Sequence, residues 1–386
     1  MAEVFVQKQL EALAHAQSTS AQTLKNKIIC TSKKLTLATA CSGTDSPVIW
    51  AHRMGMRHVF SCEFSEKKQE WIMQNFPELE FLFKDIKTLK NKEAVNEVDG
   101  LRSRVAAADV FITGFVCKSV STENNNRHTY SNCIEEASGE TGETFSGMMS
   151  YIKKHKPMVV IAENVKGITM RNKGSPPVIG QVVDEMRQAG YSFGWKILNT
   201  RDFLIPQNRP RCWMIGLRND TFTQEDVDHC FQMVEDQKIS SWSLQKYFNQ
   251  FKVGKLGTPN RSTPNKRERL VIKAAKLKLK GRKTAPIARD DVLVDLAKSE
   301  ARAPVNLNAT PCLVANSRMW WDNQRRFLSA EEGMSLQGIF ASDFPELKSF
   351  LRTQSSLCRD MTGNAFSMSV CTAVLNAVIL KVAEHK

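Results

Sequence analysis

Cys117 is the residue of this chain best placed for covalent chemistry. Asp109-Val110-Phe111-Ile112-Thr113 is an apolar run that reads as a buried parallel strand. Gly114-Phe115-Val116-Cys117-Lys118-Ser119-Val120-Ser121 follows it, so the thiol falls on a turn at the carboxyl edge of a sheet. Open α/β sheets bind and react their ligands at that edge. Thr122 to Thr144 then reads as a polar loop with three consecutive asparagines, of a length that marks a lid or an insert. On these residues alone Cys117 is either a nucleophile or a small buried side chain.

Other groups with chemical potential stand at comparable points. Pro157–Ala162 is a strand candidate that ends in Glu163-Asn164-Val165. Gln207, Arg209 and Arg211 lie between strand candidates at Trp195–Leu198 and Cys212–Leu217. His58–Cys62 ends in Glu63-Phe64, and Asp85 sits where a third strand over Phe81–Ile86 would end. An acid about 20 residues beyond a loop of small residues is placed to hold ribose hydroxyls, and a neighbouring aromatic to stack on a base. A helix-capping acid beside a core aromatic fits Glu63-Phe64 equally well.

The elements that must position these groups alternate between two periods. Leu35–Ala40 reads as a strand, Cys41–Ser46 as a small-residue loop, and Pro47 as the first turn of a helix through Trp50 and Met54. Glu66–Asn75 and Phe145–His155 read as helices. Ser175-Pro176-Pro177 reads as the cap and first turn of another, with Val178, Ile179, Val182, Val183 and Met186 at helical spacing. The alternation predicts a doubly wound, mostly parallel α/β sheet. Residues 1–34 read as an extension with one short helix lined by Val4, Phe5, Leu10 and Leu13. The alternation stops over 219–319, and an apolar helix at Val370–Val382 is expected to return to the core. The expected division is therefore 1–34, 35–218, 219–319 and 320–386.

Composition narrows the partners. The 386 residues include 54 Lys+Arg against 40 Asp+Glu, a formal charge of +14. That balance favours a polyanion such as nucleic acid over a merely basic surface. Lys252 to Arg289 concentrates the charge, opposed only by Glu268. Lys252, Arg267, Arg269 and Lys273 are candidate phosphate contacts, on a loop and on a basic helix over Arg267–Leu279. Ten cysteines without a Cys-x-x-Cys pair give no metal-ligand spacing and suit a reducing compartment better than a disulfide framework. No secretory pattern and no apolar run of about 18 residues is found, so neither a signal peptide nor a membrane partner is expected.

Taken together and in order, these residues resemble the cytosine-C5 methyltransferase family. Leu37–Ser46 resembles its cofactor loop, Glu63-Phe64 and Asp85-Ile86 its adenosine contacts, and Gly114-Phe115-Val116-Cys117 its nucleophile motif. Glu163-Asn164-Val165, Gln207-x-Arg209-x-Arg211, Arg326–Gly338 and Gly363-Asn364 are similar to further blocks. The resemblance implies S-adenosyl-L-methionine held by Ala40, Cys41, Ser42, Gly43 and Thr44. Glu63 would take the ribose, Phe64 and Ile86 the adenine faces, Asp85 the adenine amine, and Asn364 with Ala365 the methionine end. It implies double-stranded DNA as partner, with the target cytosine flipped out. Cys117 would add to C6, Glu163 hold N3 and the amine, and Arg211 contact O2 with Arg209 in support. Ser121 and Gln207 would join the DNA contacts. A monomeric catalytic unit is expected, with accessory chromatin proteins as further partners. The compartment follows from the substrate: the nucleus in a eukaryote, otherwise cytoplasm or nucleoid.

The chain departs from the family pattern at three points. Val116 stands for the usual proline, Lys118 for the usual glutamine, and the cofactor loop has Gly43 without the second and third glycines. Lys118 is expected to lower the Cys117 pKa. Two alternatives accompany this reading: a tRNA cytosine methyltransferase of the same fold, whose Cys-Phe-Thr signature is not found in 219–319, and a catalytically silent DNA-binding paralogue.

Overall fold

The strand sequences are apolar at consecutive positions, as in Leu37-Ala38 and Val159-Val160-Ile161-Ala162, which is the pattern of a sheet covered on both faces. The computed structural model describes residues 2–171, 175–258, 263–280 and 290–385. They form two compact units, one of Val6–Leu198, Pro210–Gln237 and Cys371–Lys386, the other of Met1–Phe5, Asn199–Arg209 and Lys238–Val370.

The first unit is built on a seven-stranded sheet. In chain order its strands are β1 (Thr36–Ala40), β2 (Arg57–Cys62), β3 (Leu82–Phe83), β4 (Val110–Thr113), β5 (Val159–Val165), β6 (Tyr191–Asn199) and β7 (Pro210–Arg218). They lie side by side as β3-β2-β1-β4-β5-β7-β6. The pairs β1/β2, β1/β4, β2/β3 and β4/β5 are parallel, and β5/β7 is antiparallel. The mostly parallel α/β expectation therefore holds. Strand order reverses between β1 and β4, and loops leaving adjacent strand ends there diverge and open a crevice.

Alternate strand residues explain the burial. Ala38, Phe60, Phe111, Val160 and Met214 join one core with Phe145, Met148, Ile152, Ile179, Val182 and Met186 from the helices Gly139–His155 and Ile179–Gln188. The intervening residues Leu37, Ile112, Ile161 and Ile215 are buried as well. The C-terminal helix Met368–Glu384 is buried along most of its length. There Asn376 accepts a hydrogen bond from Trp50 Nε1 and donates one to Gln237 Oε1, both 3.0 Å.

In the second unit an antiparallel sheet runs in the order Val305–Leu307, Val292–Asp295, Met319–Trp321, Arg326–Phe327. The helix Lys266–Lys280 lays Val271, Ala275 and Leu279 on Val294, Val305, Trp320 and Phe327. A spacing of four residues puts that stripe on one helix face. Arg267, Arg269 and Lys273 are exposed.

Several expectations need correction. Residues 219–237 belong with the large sheet, because the helix Gln224–Asp236 buries Val227, Cys230, Phe231, Met233 and Val234 and Gln237 donates to Ala373 O. Residues 320–370 belong with the basic region, because Trp320 and Phe327 complete its small core. Residues 1–34 hold two helices, Ala2–Ala16 and Ala21–Ser32, the second capped by Ser20 Oγ on Thr23 N. The helix expected from Phe145 starts at Gly139. The helix expected from Ser175 starts at Ile179, with Ser175 in an isolated β-bridge instead of a cap. Arg261, Arg282, Lys283 and Arg289 of the basic run lie outside the described residues. Among the described residues no single helix is long and apolar enough to cross a membrane.

Asn376→Leu leaves a buried indole N–H and a buried amide oxygen without partners. We expect it to lower unfolding free energy by about 2–4 kcal/mol in urea titration. A loss within about 0.5 kcal/mol, the range of ordinary surface substitutions, would show the bridge to be dispensable.

Candidate active site

Parallel pairing fixes where the reactive groups emerge. Ala40 pairs with Thr113, Thr113 with Ala162, and Ala162 with Met214, so one row of residues crosses four strands near the carboxyl edge. The cofactor-loop candidates start at Ala40 itself, the Cys117 turn follows Thr113, and Glu163 comes next after Ala162.

The Cys117 turn is held from two sides. Asn164 is buried, and its Nδ2 donates to Phe115 O at 2.9 Å while its Oδ1 accepts from Val165 N. From the other side, Val116 N donates to Thr144 Oγ1 and Ser119 N to Thr141 Oγ1, both 3.1 Å. A proline at 116 has no N–H for the first of these bonds. The carbonyl of Cys117 accepts from Val120 N and Ser121 N, closing the turn. Ser121 is half-buried, and its Oγ accepts from Glu123 N. The ammonium of Lys118, the cation expected beside the thiol, pairs with Glu140 at 2.8 Å.

Glu163 and Arg211 meet directly. On the antiparallel β5/β7 ladder Glu163 is opposite Trp213 and Val165 opposite Arg211. This diagonal brings Arg211 Nε to 3.2 Å from Glu163 Oε1, with both side chains about nine-tenths buried. The Glu163 charge also raises the thiol pKa values of Cys212 and Cys371, after the larger effect of burial.

Arg209 and Gln207 do other work. The Arg209 guanidinium is buried and donates to the carbonyls of Leu313, Gly363 and Ala365 at 2.7–2.9 Å. Gln207 is fully buried, donates to Leu336 O and accepts from Leu313 N. Both tie segments of the second unit together; neither offers its polar end to a base, which corrects the expected catalytic and DNA roles. Their positions in the Gln-x-Arg-x-Arg run gave no signal of this, because burial is set by segments more than 100 residues away.

The small-residue loop fits a nucleoside cofactor. Glu63 closes β2, with Oε2 accepting from Gly43 N at 2.7 Å and Oε1 from Ser65 N at 2.9 Å. Each carboxylate oxygen keeps a second lone pair for a ribose hydroxyl. Phe64, beside it, is 71% exposed, an open aromatic face at the sheet edge. Asp85 is partly exposed and caps a 3₁₀ turn through Lys87 N, whereas Ile86 is a core residue and presents no open face. Ala40, Ser42 and Thr44 are buried and Cys41 half-buried. Burial pushes the Cys41 thiol up to about 12, with the charge on Glu63 adding to it. Asn364, exposed, donates to Asp360; Ala365 is buried. Both lie in the second unit, as do Lys252, Arg267, Arg269 and Lys273, which are exposed.

The sequence model of the C-5 cytosine-specific DNA methylase family matches residues 41–380. The chain belongs to that family. It is 30% identical over 223 residues to the DNA (cytosine-5-)-methyltransferase DMT5 of Cryptococcus neoformans, covering 55% of this chain and 9% of that protein. It is 30% identical over 166 residues to the type II methyltransferase M.HhaI of Haemophilus parahaemolyticus, 43% of this chain and 44% of the other. The chain thus spans less than half the length of these relatives. A putative DNA modification methyltransferase from an Escherichia coli prophage superposes with a TM-score of 0.55 at 17% identity, over 89% of this chain and 98% of the other. The Schizosaccharomyces pombe Dnmt2 methyltransferase gives 0.54 at 14%, over 90% and 99%. Both show the class I methyltransferase fold.

Asp45 was not singled out from sequence. It follows Gly43 by two residues and is fully buried, with Thr39 Oγ1 donating to Oδ1 at 2.8 Å and Ser61 Oγ donating to Oδ2. Burial pushes its carboxyl up to about 7; the two hydroxyls oppose the rise and the Glu63 charge adds to it. A raised folded-state pKa favours the protonated form, so the stability this gives is complete below the ordinary carboxyl value and lost as pH rises through about 7. Asp45→Asn does not titrate. We expect its melting temperature to gain on wild type between pH 5 and 8, and to stay level with further increase. A difference that is the same at pH 5 and pH 8 contradicts the buried ionisation.

Proposed function

We propose that the chain transfers a methyl group from S-adenosylmethionine to C5 of cytosine in double-stranded DNA, with Cys117 as nucleophile. One observation carries the reading. Asn164, between Glu163 and Val165, hydrogen-bonds the carbonyl of Phe115, two residues before Cys117. The strand that presents the acid therefore also anchors the turn that presents the thiol, and Arg211 is joined to that acid.

The chemistry needs these three groups together. C5 of cytosine is a weak nucleophile until a thiolate adds to C6 and leaves an enamine-like carbon. Cys117 forms that bond. Glu163 takes up a proton as its ion pair opens to the base and, hydrogen-bonded at N3, supplies that proton as negative charge reaches the ring. Arg211 stabilises charge at O2, and its ion pair orients Glu163 beforehand. The cofactor, which this family generally uses, supplies an electrophilic methyl group. A base in the site then takes the C5 proton, Cys117 leaves as thiolate and N3 returns its proton to Glu163, which restores the aromatic ring. Glu63 and Phe64 are the residues that fit the ribose and the adenine. Lys252, Arg267, Arg269 and Lys273 are exposed cations available to phosphates.

Val116 bears on the catalytically silent alternative. The turn without its proline is held by the bond from Val116 N to Thr144 Oγ1, which supports a turn that still presents Cys117.

Incubation with methyl-labelled S-adenosylmethionine and either duplex DNA or tRNA tests the proposal. We expect label on DNA cytosine, none with Cys117→Ala, and a loss of about 10²–10⁴ in kcat with Glu163→Gln. Asn164→Ala should lower kcat about tenfold by freeing the turn. Label on tRNA alone, or no label with wild type, would falsify it. An adduct on 5-fluorocytosine DNA that survives Cys117→Ala removes the thiol from the mechanism.

A further inference from the structure

Three alternate residues of the cofactor-loop candidate have positive φ: Cys41 at 50°, Gly43 at 58° and Asp45 at 54°. Only the middle one is glycine. For other residues this left-handed conformation is strained, with asparagine and aspartate the least penalised. At Gly43 the space is open, since an added Cβ meets nothing closer than 4.0 Å, so backbone conformation and not room selects glycine there. At Asp45 the same conformation is held without glycine.

The Asp45 side chain explains how. It does not cap the helix Ser46–Arg53 that it precedes. It turns inward to Thr39 on β1 and Ser61 on β2, bonding one hydroxyl with each oxygen. Thr39 Oγ1 lies 2.8 Å from Ser42 Oγ, and Ser42 is joined to β2 through Cys62 O and Cys62 N. His58 Nε2 lies 3.2 Å from Ser61 Oγ on the far side. The carboxyl is thus the knot that fastens the loop to two strands at once. It is an expensive one, because the burial that encloses it disfavours its charge. An isolated buried acid is rarely kept without a role, and the acid here sits under a ligand loop.

We propose that Asp45 is the positioning residue of the cofactor loop, and that its hydrogen bonds with Thr39 and Ser61 hold Gly43 and Glu63 in the geometry that binds the nucleoside. The inference rests on the cofactor reading above. With the loop folded this way Gly43 N donates to Glu63 Oε2, a main-chain link from the loop to the acid assigned to the ribose.

The test uses the full chain. Binding of S-adenosylmethionine and S-adenosylhomocysteine is measured by calorimetry for wild type, Asp45→Asn, Asp45→Gly, Asp45→Ala and Thr39→Val. KM for the cofactor and kcat follow, with hydrogen exchange of the 41–46 segment in the ligand-free protein. Asparagine keeps the left-handed preference and can bond both hydroxyls, so it should bind within about threefold of wild type. Glycine keeps the conformation but loses both bonds; alanine loses bonds and conformation. Each should raise Kd and KM about tenfold or more, with kcat within about twofold and faster exchange at 41–46. Thr39→Val removes one anchor without touching the loop and should give a smaller shift of the same kind. A wild type that binds neither compound sinks the cofactor reading and this inference with it. A wild type that binds, with the glycine and alanine variants binding equally well at unchanged loop exchange, sinks the inference alone.

Discussion

The row Ala40–Thr113–Ala162–Met214 is the constraint from which the rest of the sheet unit follows. Backbone pairing across four strands leaves no freedom in where the next residues emerge. On the three parallel strands, loops that begin one to four positions beyond that row open along the same edge, and antiparallel β7 brings Arg211 to that edge three residues before the row; strand order reverses between β1 and β4 so that two of the loops diverge there. A thiol, a carboxylate and a guanidinium from segments far apart in sequence are thereby held on one rigid frame. Apolar side chains on both faces keep the frame dry and prevent the register from slipping, since a slip by one residue would exchange the two buried sets.

Register alone does not place a side chain, and the second layer of control is polar. Asn164, Thr141 and Thr144 fix the Cys117 turn; Glu63, Ser42 and Asp45 fix the loop after β1. Each uses a short side chain to satisfy a main-chain group or a neighbouring side chain near the strand ends, where ladder bonds run out. The Glu163–Arg211 pair belongs to the same layer. Such a pair contributes little net stability once desolvation is counted, so its value here is orientation.

The sheet was legible in the sequence because its strands are continuous apolar runs separated by helical periods, and the catalytic candidates because they end those runs. What escaped was governed by distant partners. The helix Gly139–His155 opens in Gly-Glu-Thr-Gly, a poor helix former, yet Gly142 is required because a Cβ there would lie 1.9 Å from Cys133 O. The alternation Gln207, Arg209, Arg211 puts three polar side chains at every second residue. Burial divides them: the first two satisfy carbonyls and amides of the second unit, and the third pairs with an acid on β5. The second N-terminal helix was missed because only Leu24 and Ile28 mark its apolar face strongly.

Val116 and Asp45 show one physical exchange made twice. Proline and glycine shape a turn through the conformations they allow, which costs no partner and is indifferent to pH. At Val116 and Asp45 hydrogen bonds hold the turn: the Val116 main-chain N–H donates to Thr144, and the Asp45 carboxyl accepts from Thr39 and Ser61. A turn held in this way depends on those partners staying in place, so the constraint spreads from a single residue to a network. The Thr144 bond is neutral and imposes no further condition. The Asp45 knot carries a buried carboxyl that burial pushes up to about 7, a condition that a glycine loop does not carry.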